Sequence, residues 1–467
     1  MSLALLIDFG STYTKLRALD LASGDIAASA QGPSTVTSDV NVGLDAAMAA
    51  LARVLGGTPR FAHRLACSSA AGGLRMVTVG LVKELTAEAA RQAALGAGAK
   101  LVASHAYRLT AADVARIVER APDIVLLCGG TDGGNRDVVV HNAHALAAST
   151  LACPVVVACN REAADDVVAA LAAAGKAAIA TANVLPGLDT LDIEPARAAI
   201  RDVFMRRIVA AKGIERAAAR FDAVLMPTPA AVLEGARLLA DGTPRRKGHG
   251  PLVVIDPGGA TTDVHSIGRG EPSTPGVIRY GLPEPYAKRT VEGDLGMRHN
   301  AEAIAAAAGI DAIAADAGVP VAVATDAIAA LHADVEALPR DPAQFALDAA
   351  LARAAIRIAM TRHAGTCETV YTAQGPVSVQ RGKDLSDVGL VIGTGGALVH
   401  ARNPAAILAV AAADAADPLS LRPRAPRFAI DRHYLLYAAG LLAEAAPDAA
   451  FDLATRHLDL LTEGATA

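Results

Sequence analysis

The chain contains no tryptophan, and phenylalanine and tyrosine together make up only 3% of its 467 residues. Large side chains therefore cannot fill its interior. With 52% apolar residues and abundant alanine, a helix-rich protein packed through small residues is expected. No uninterrupted apolar run approaches the roughly twenty residues that span a bilayer, so no membrane segment is expected despite the positive mean hydropathy. The N-terminus lacks a cationic stretch before its apolar run, and Asp8 interrupts that run early, which argues against a signal peptide. There is no excess of positive charge: the net charge of −5 does not favour nucleic acid. None of the five cysteines forms a Cys-x-x-Cys pair, so a sulfur-ligated zinc or iron–sulfur site has no support. Their odd number fits a reducing cytoplasm. A Walker A sequence is also missing. At this length, two or three domains are expected.

What is present is a repeated turn. Residues 5–15 read Leu-Leu-Ile-Asp-Phe-Gly-Ser-Thr-Tyr-Thr-Lys, and residues 252–264 read Leu-Val-Val-Ile-Asp-Pro-Gly-Gly-Ala-Thr-Thr-Asp-Val. Each is an apolar strand that ends in an aspartate and turns through glycine into hydroxyl residues. Such a turn exposes backbone N–H groups to phosphate oxygens. Gly10, Ser11, Thr12 and Lys15 supply the donors of the first turn; Gly258, Gly259, Ala260 and Thr261 supply those of the second. Asp8 and Asp256 are the expected metal-side carboxylates, acting on magnesium largely through water. Asp263 is the third expected catalytic carboxylate. A further strand, 388–392, runs into Gly393-Thr394-Gly395-Gly396, where a backbone without Cβ atoms can lie against a purine or ribose.

Between the two turns, residues 61–185 alternate short apolar runs with helical patterns, the signature of βαβ units on a parallel sheet. Within them, Cys128-Gly129-Gly130-Thr131-Asp132-Gly133-Gly134-Asn135 leaves the carboxyl end of a strand, the edge that ligands prefer in open α/β sheets. A binding loop is favoured there over a simple turn. His141 and His144 lie three apart on an expected helix, without a third ligand in view. Glu292-Gly293-Asp294-Leu295-Gly296-Met297-Arg298 precedes a helix over 301–308; its acids either cap that helix or reach toward the nucleotide. At Gly382-Lys383-Asp384, a turn capped by the aspartate is expected.

In this order the three glycine segments resemble the phosphate-1, phosphate-2 and adenosine motifs of the actin-like ATPases. The resemblance implies an α/β, two-lobed fold that duplicates a ribonuclease H-like motif and binds ATP with Mg2+. It places the first lobe at 1–60 and 186–245, an inserted α/β domain at 61–185, and the second lobe at 246–400. The tail, 401–467, supplies C-terminal helices, among them a second interlobe helix near Tyr434–Gly440. Met226-Pro227-Thr228-Pro229 resembles the opening of the first interlobe helix. There Met226 replaces the acid that orients the attacking water, and a thioether cannot take that proton. Slow ATP hydrolysis at most is implied.

A closer resemblance covers nearly the whole chain. Phe9–Lys15, Cys128–Asn135, Met226–Pro229 and Glu292–Gly296 together look like the glutamate mutase accessory family. That resemblance implies a chaperone-like reactivating factor for an adenosylcobalamin-dependent mutase, with nucleotide binding driving exchange of damaged cobalamin. Mutase subunits are the implied partners, the inserted domain is their expected contact, and a homodimer stays open. A metabolite kinase of the same fold is the alternative, with Asp263 as its base. An acyl-CoA dehydratase activator would need cysteines to hold an iron–sulfur cluster between subunits, and the scattered cysteines here argue against it; a filament-forming relative would show itself by sedimentation with ATP.

Overall fold

The computed structural model describes residues 2–10, 13–33, 40–57, 59–68, 74–211, 222–373 and 375–461. The chain divides into two units, one of residues 1–235, 281–285 and 437–453, the other of 236–280, 286–436 and 454–467.

The first unit carries β1 (Leu3–Phe9), β2 (Tyr13–Asp20), β3 (Ile26–Pro33), β4 (Phe61–Ser68), β5 (Leu74–Val79), β6 (Ala99–His105), β7 (Ile124–Leu127), β8 (Val155–Val157), β9 (Ala178–Ala180) and β10 (Ala223–Pro227). They form two sheets. In the first the order is β10-β4-β1-β2-β3. Strands β1, β2 and β3 make an antiparallel meander, while β4 and β10 add in parallel. The central place of β1 explains the apolar run Leu3–Ile7, because all seven residues of the strand, Asp8 included, are buried.

The second sheet, β6-β5-β7-β8-β9, is parallel throughout. Helices Thr86–Gly96, Ala111–Glu119, Asp137–Ala147 and Arg161–Ala173 connect its strands in turn. This is a doubly wound α/β domain of flavodoxin-like strand order, inserted between β4 and β10. Its start differs from expectation. Phe61–Ser68 is hydrogen-bonded to β1 and belongs to the first sheet, so the insertion begins after Ser68 rather than at 61. Both kinds of strand are short and apolar, and only the pairing separates them. One face of the inserted sheet shares a core with the first sheet and with helix Glu194–Ala211, through Met76, Leu126, Val156, Ala196 and Ile200.

The second unit carries β11 (Gly242–Thr243), β12 (Arg246–Lys247), β13 (Leu252–Pro257), β14 (Thr262–Ile267), β15 (Ile278–Tyr280), β16 (Ala287–Glu292), β17 (Thr366–Thr372), β18 (Gly375–Arg381), β19 (Leu390–Gly393), β20 (Arg427–Asp431) and β21 (Leu458–Leu461). Its main sheet has the order β16-β14-β13-β19-β20-β21. Strands β13, β14 and β16 form an antiparallel meander, and β19 and β20 join in parallel. The arrangement of the first sheet is thus repeated strand for strand, with β21 added antiparallel at the edge. Two ribonuclease H-like motifs in one chain are the actin-like ATPase fold.

The tail is not purely helical. It contributes β20 and β21 to this sheet, while its residues 437–453 join the first unit. Helix Leu436–Leu442 crosses helix Thr228–Asp241 at Gly440, where an added Cβ would stand 1.8 Å from the Ala231 carbonyl oxygen. Among the described residues, no single helix is long and apolar enough to cross a membrane.

Candidate functional site

Each ribonuclease H-like motif turns between its first and second strands in the same way. The Gly10 N–H donates to the Tyr13 carbonyl at 3.0 Å, and the Gly258 N–H donates to the Thr261 carbonyl at 2.9 Å. A Cβ would lie 2.6 Å from the Tyr13 oxygen at Gly10 and 3.0 Å from the Thr261 oxygen at Gly258, so both turns need glycine or something close to it. Asp8 pairs across the ladder with Lys15, and Asp256 pairs with Asp263. Lys15 and Asp263 therefore occupy equivalent places. Ser11 and Thr12 lie outside the described residues.

Asp8 is 6% exposed. Burial pushes its carboxyl above the usual range, and a hydrogen bond from Thr228 and the charge of Lys15 partly offset this. Across β4 and β10 the register runs Asp8, Cys67, Met226. Cys67 is fully buried; burial and the neighbouring Asp8 push its thiol well up, so it stays protonated and is no nucleophile. The Thr228 hydroxyl donates to Asp8 Oδ1 at 2.7 Å. Thr228 appears in the sequence only within the Met-Pro-Thr-Pro resemblance; its hydrogen bond needs the β10–β4–β1 pairing to exist.

In the second unit, Asp256, Gly258–Thr261, Asp263 and Gly393–Gly396 come together because β13 lies between β14 and β19. Gly395 has φ +88°, and a Cβ there would stand 2.3 Å from Asp256 Oδ1. The second turn is braced from behind. The N–H groups of Met297, Arg298 and His299 donate to the carbonyls of Gly258 and Gly259 at 2.9–3.0 Å. With these two carbonyls drawn back, Gly258 and Gly259 present backbone that carries no side chain. This is the work of the end of the 292–298 segment and the residue after it. The segment's acids do not cap helix Ala301–Ala308, whose N-cap Asn300 makes no side-chain capping bond; Glu292 and Asp294 instead hold Arg362 at 2.8 and 2.7 Å.

Asp263 is committed to its neighbours. Its Oδ1 accepts from Arg289 Nε at 2.8 Å, and its Oδ2 accepts from Thr261 Oγ1 at 3.1 Å. Both of its carboxylate oxygens are thus occupied within the unit. Tyr434 lies on the same side of the unit, held at φ +54°. Burial, with Asp256 and Asp431 nearby, pushes its phenol up to about 12, which keeps it a neutral donor.

A cleft of about 840 Å³ opens beside Gly258, Gly259 and Gly396. It continues between Arg298 and Asp348, an ion pair at 2.8 Å, and Arg402, whose guanidinium lies 4.6 Å from the Phe345 ring centre. Of these four residues, Arg298 alone belongs to a segment that stands out in the sequence. The others come from helix Pro342–His363 and from a loop that only the tertiary fold brings to the turn.

The donor set fits a phosphate chain with a hydrated cation. In the second unit Gly258 and Gly259 offer backbone without side chains, and in the first Asp8 Oδ2 carries no hydrogen bond among the described residues. Hard carboxylate oxygens suit magnesium and its waters.

The remaining motifs have local work. In the inserted domain, Asn183 Nδ2 donates to Gly130 O and Asp132 Oδ1, and Asn160 Nδ2 donates to Gly134 O, so two buried asparagines fix the 128–135 loop. His141 Nε2 sits 3.2 Å from Leu109 O, and no cluster of three metal-ligating side chains occurs among the described residues. Asp384 caps a turn through Ser386 N at 2.9 Å, while Lys383 is buried against the carbonyls of Ser266 and Tyr286.

Comparison with known proteins agrees with the motifs. The family model for the MutL protein matches residues 4–458. Protein MutL of Clostridium tetanomorphum is 47% identical over 463 residues, covering 98% of this chain and 99% of that protein. Among solved structures, component A of (R)-2-hydroxyglutaryl-CoA dehydratase from Acidaminococcus fermentans is 9% identical, covers 98% of this chain and 99% of its own, and superposes with a TM-score of 0.27. Xylulose kinase from Bifidobacterium adolescentis is 14% identical, covers 99% and 96%, and gives a TM-score of 0.33. The strand topology, not these superpositions, defines the fold. By the extent of the family match and the full-length identity, the chain belongs to the MutL family, the glutamate mutase accessory proteins that its motifs resemble.

Proposed function

We propose that the chain is an ATP-binding, chaperone-like accessory protein of an adenosylcobalamin-dependent carbon-skeleton mutase such as glutamate mutase. In this reading it promotes the exchange of damaged cobalamin on the mutase. The observation that carries the nucleotide site is the repeated aspartate–glycine turn, whose second copy opens on the 840 Å³ cleft. Gly10, Ser11, Thr12 and Lys15 from the first turn, and Gly258, Gly259, Ala260 and Thr261 from the second, receive the phosphates. Gly393, Thr394, Gly395 and Gly396 lie along the nucleoside. Asp8 and Asp256 hold Mg2+ through its waters, and the ion neutralises phosphate charge. Asp263, ion-paired to Arg289, holds the Thr261 hydroxyl at the turn.

The reactivating step follows from linkage. A partner that binds the cofactor-free mutase more tightly than the loaded one shifts the mutase toward release, and the bound nucleotide sets which state the partner prefers. Mutase subunits are the partners and the inserted domain is their contact. A metabolite kinase is the second reading, supported by the fold and set back by the engagement of Asp263.

Calorimetric titration with Mg–ATP tests the nucleotide site. Micromolar binding, about −8 kcal/mol, is expected. Asp8→Ala and Asp256→Ala should each weaken it by tenfold or more, on the order of the 1.5–3 kcal/mol carried by interactions with charged groups. Wild-type affinity in both variants would remove the site. For the accessory role, mutase carrying hydroxocobalamin should release it faster with the chain and Mg–ATP than with either alone. Phosphorylation of a small metabolite with no effect on the mutase would instead establish the kinase.

A further inference from the structure

We infer that Thr228 is a positioning residue for the cation: its hydroxyl fixes Asp8 so that the free carboxylate oxygen is the one presented to magnesium and its water shell. The inference rests on the assignment of Asp8 to the nucleotide's metal. It stands on geometry within the first unit. Asp8 lies one residue before the end of β1, Cys67 is its ladder partner on β4, and Thr228 follows β10 at the start of helix Thr228–Asp241. Thr228 Oγ1 donates to Asp8 Oδ1 at 2.7 Å and lies 3.4 Å from Cys67 Sγ; the Cys67 thiol stands 3.6 Å from the same Oδ1. Both contacts fall on one oxygen. Oδ2 has none among the described residues.

The broad sp²-side torsion of an aspartate lets its two oxygens exchange places unless one is held. A hydroxyl donor on Oδ1 removes that freedom at no cost in charge. Cys67 cannot do this alone, because a thiol is a weak donor at 3.6 Å. Thr228 belongs to the element after β10, so the state of that helix is felt directly at the carboxylate of β1.

The test is the affinity for ATP, measured calorimetrically with Mg2+ and with EDTA. Thr228→Val keeps the shape and removes the donor; Thr228→Ser keeps the donor and removes the methyl. The valine variant should bind Mg–ATP roughly tenfold more weakly while its metal-free ATP affinity stays within about twofold of wild type, and serine should restore the Mg–ATP value. Equal weakening with and without metal would overturn the inference, since a merely structural role does not distinguish the two titrations. Wild-type Mg–ATP binding by the valine variant, or a serine variant as weak as valine, would overturn it as well. Asp8→Ala separates the two readings. If it binds Mg–ATP normally, the assignment of Asp8 fails; if it fails to bind while Thr228→Val binds normally, only the role of Thr228 fails.

Discussion

At the scale of single residues, this chain places glycine where a neighbouring carboxylate or carbonyl leaves no room. Gly395 is the clearest case, left-handed and set against Asp256. Gly395→Ala should cost about 1–3 kcal/mol of backbone strain and push the Asp256 side chain aside. A lower urea midpoint and a weaker Mg–ATP titration would check it. Met226 stands in the row Asp8–Cys67–Met226 at the carboxyl edge of the first sheet. One residue beyond the row Ile255–Gly393–Ile430, the second sheet has Asp256, Thr394 and Asp431. The thioether thus falls where the second motif keeps a carboxylate, and Met226→Glu should raise ATP turnover, measured by phosphate release.

His265 gives a pH signature. Burial, with the charge of Arg289, lowers its imidazole to about 3, so it is neutral in the folded chain. The unfolded chain takes up a proton near pH 6.5, while the folded chain does so only near 3. Between those values the unfolded state binds more protons. The stability it contributes is therefore complete above about pH 6.5 and is lost as the pH falls toward 3, by at most about 1.4 kcal/mol per pH unit. Chemical denaturation from pH 4 to 7 should give a shallower slope for His265→Gln than for the wild type.

At the scale of elements, much of the duplication was legible in advance. An apolar strand running into Asp and turning through Gly occurs twice, because the first strand of each motif is central and buried on both faces. The βαβ alternation of the insertion was equally plain, since its strands are short, apolar and separated by amphipathic helices. Phe61–Ser68 was misplaced because pairing in parallel to a strand more than fifty residues away leaves no local trace. Strands β20 and β21 leave no local trace either, because β20 pairs with β19 and β21 with β20 across intervening helices. The helix crossing at Gly440 carries a prediction of its own. Gly440→Ala must push apart the helices that touch at the Ala231 carbonyl, at a cost of about 1–3 kcal/mol. It should appear as a lower urea midpoint by circular dichroism.

At the scale of the whole molecule, a bound nucleotide should stabilise the folded chain. If Mg–ATP binds only the folded chain, a concentration of one hundred times Kd adds about 2.7 kcal/mol, visible as a raised melting temperature that Asp256→Ala abolishes. The sequence by itself determined the chemistry of the turns: an aspartate at a strand end, glycines where backbone must be bare, and their order along the chain. Those are local requirements, written in adjacent residues. Only the tertiary structure decided that Thr228 holds Asp8, that Arg289 engages Asp263, that residues 297–299 brace the second turn, and that Arg298, Phe345, Asp348 and Arg402 wall its cleft. Each of these joins residues more than twenty positions apart, and such contacts arise from sheet order and helix packing, which no short stretch of sequence encodes.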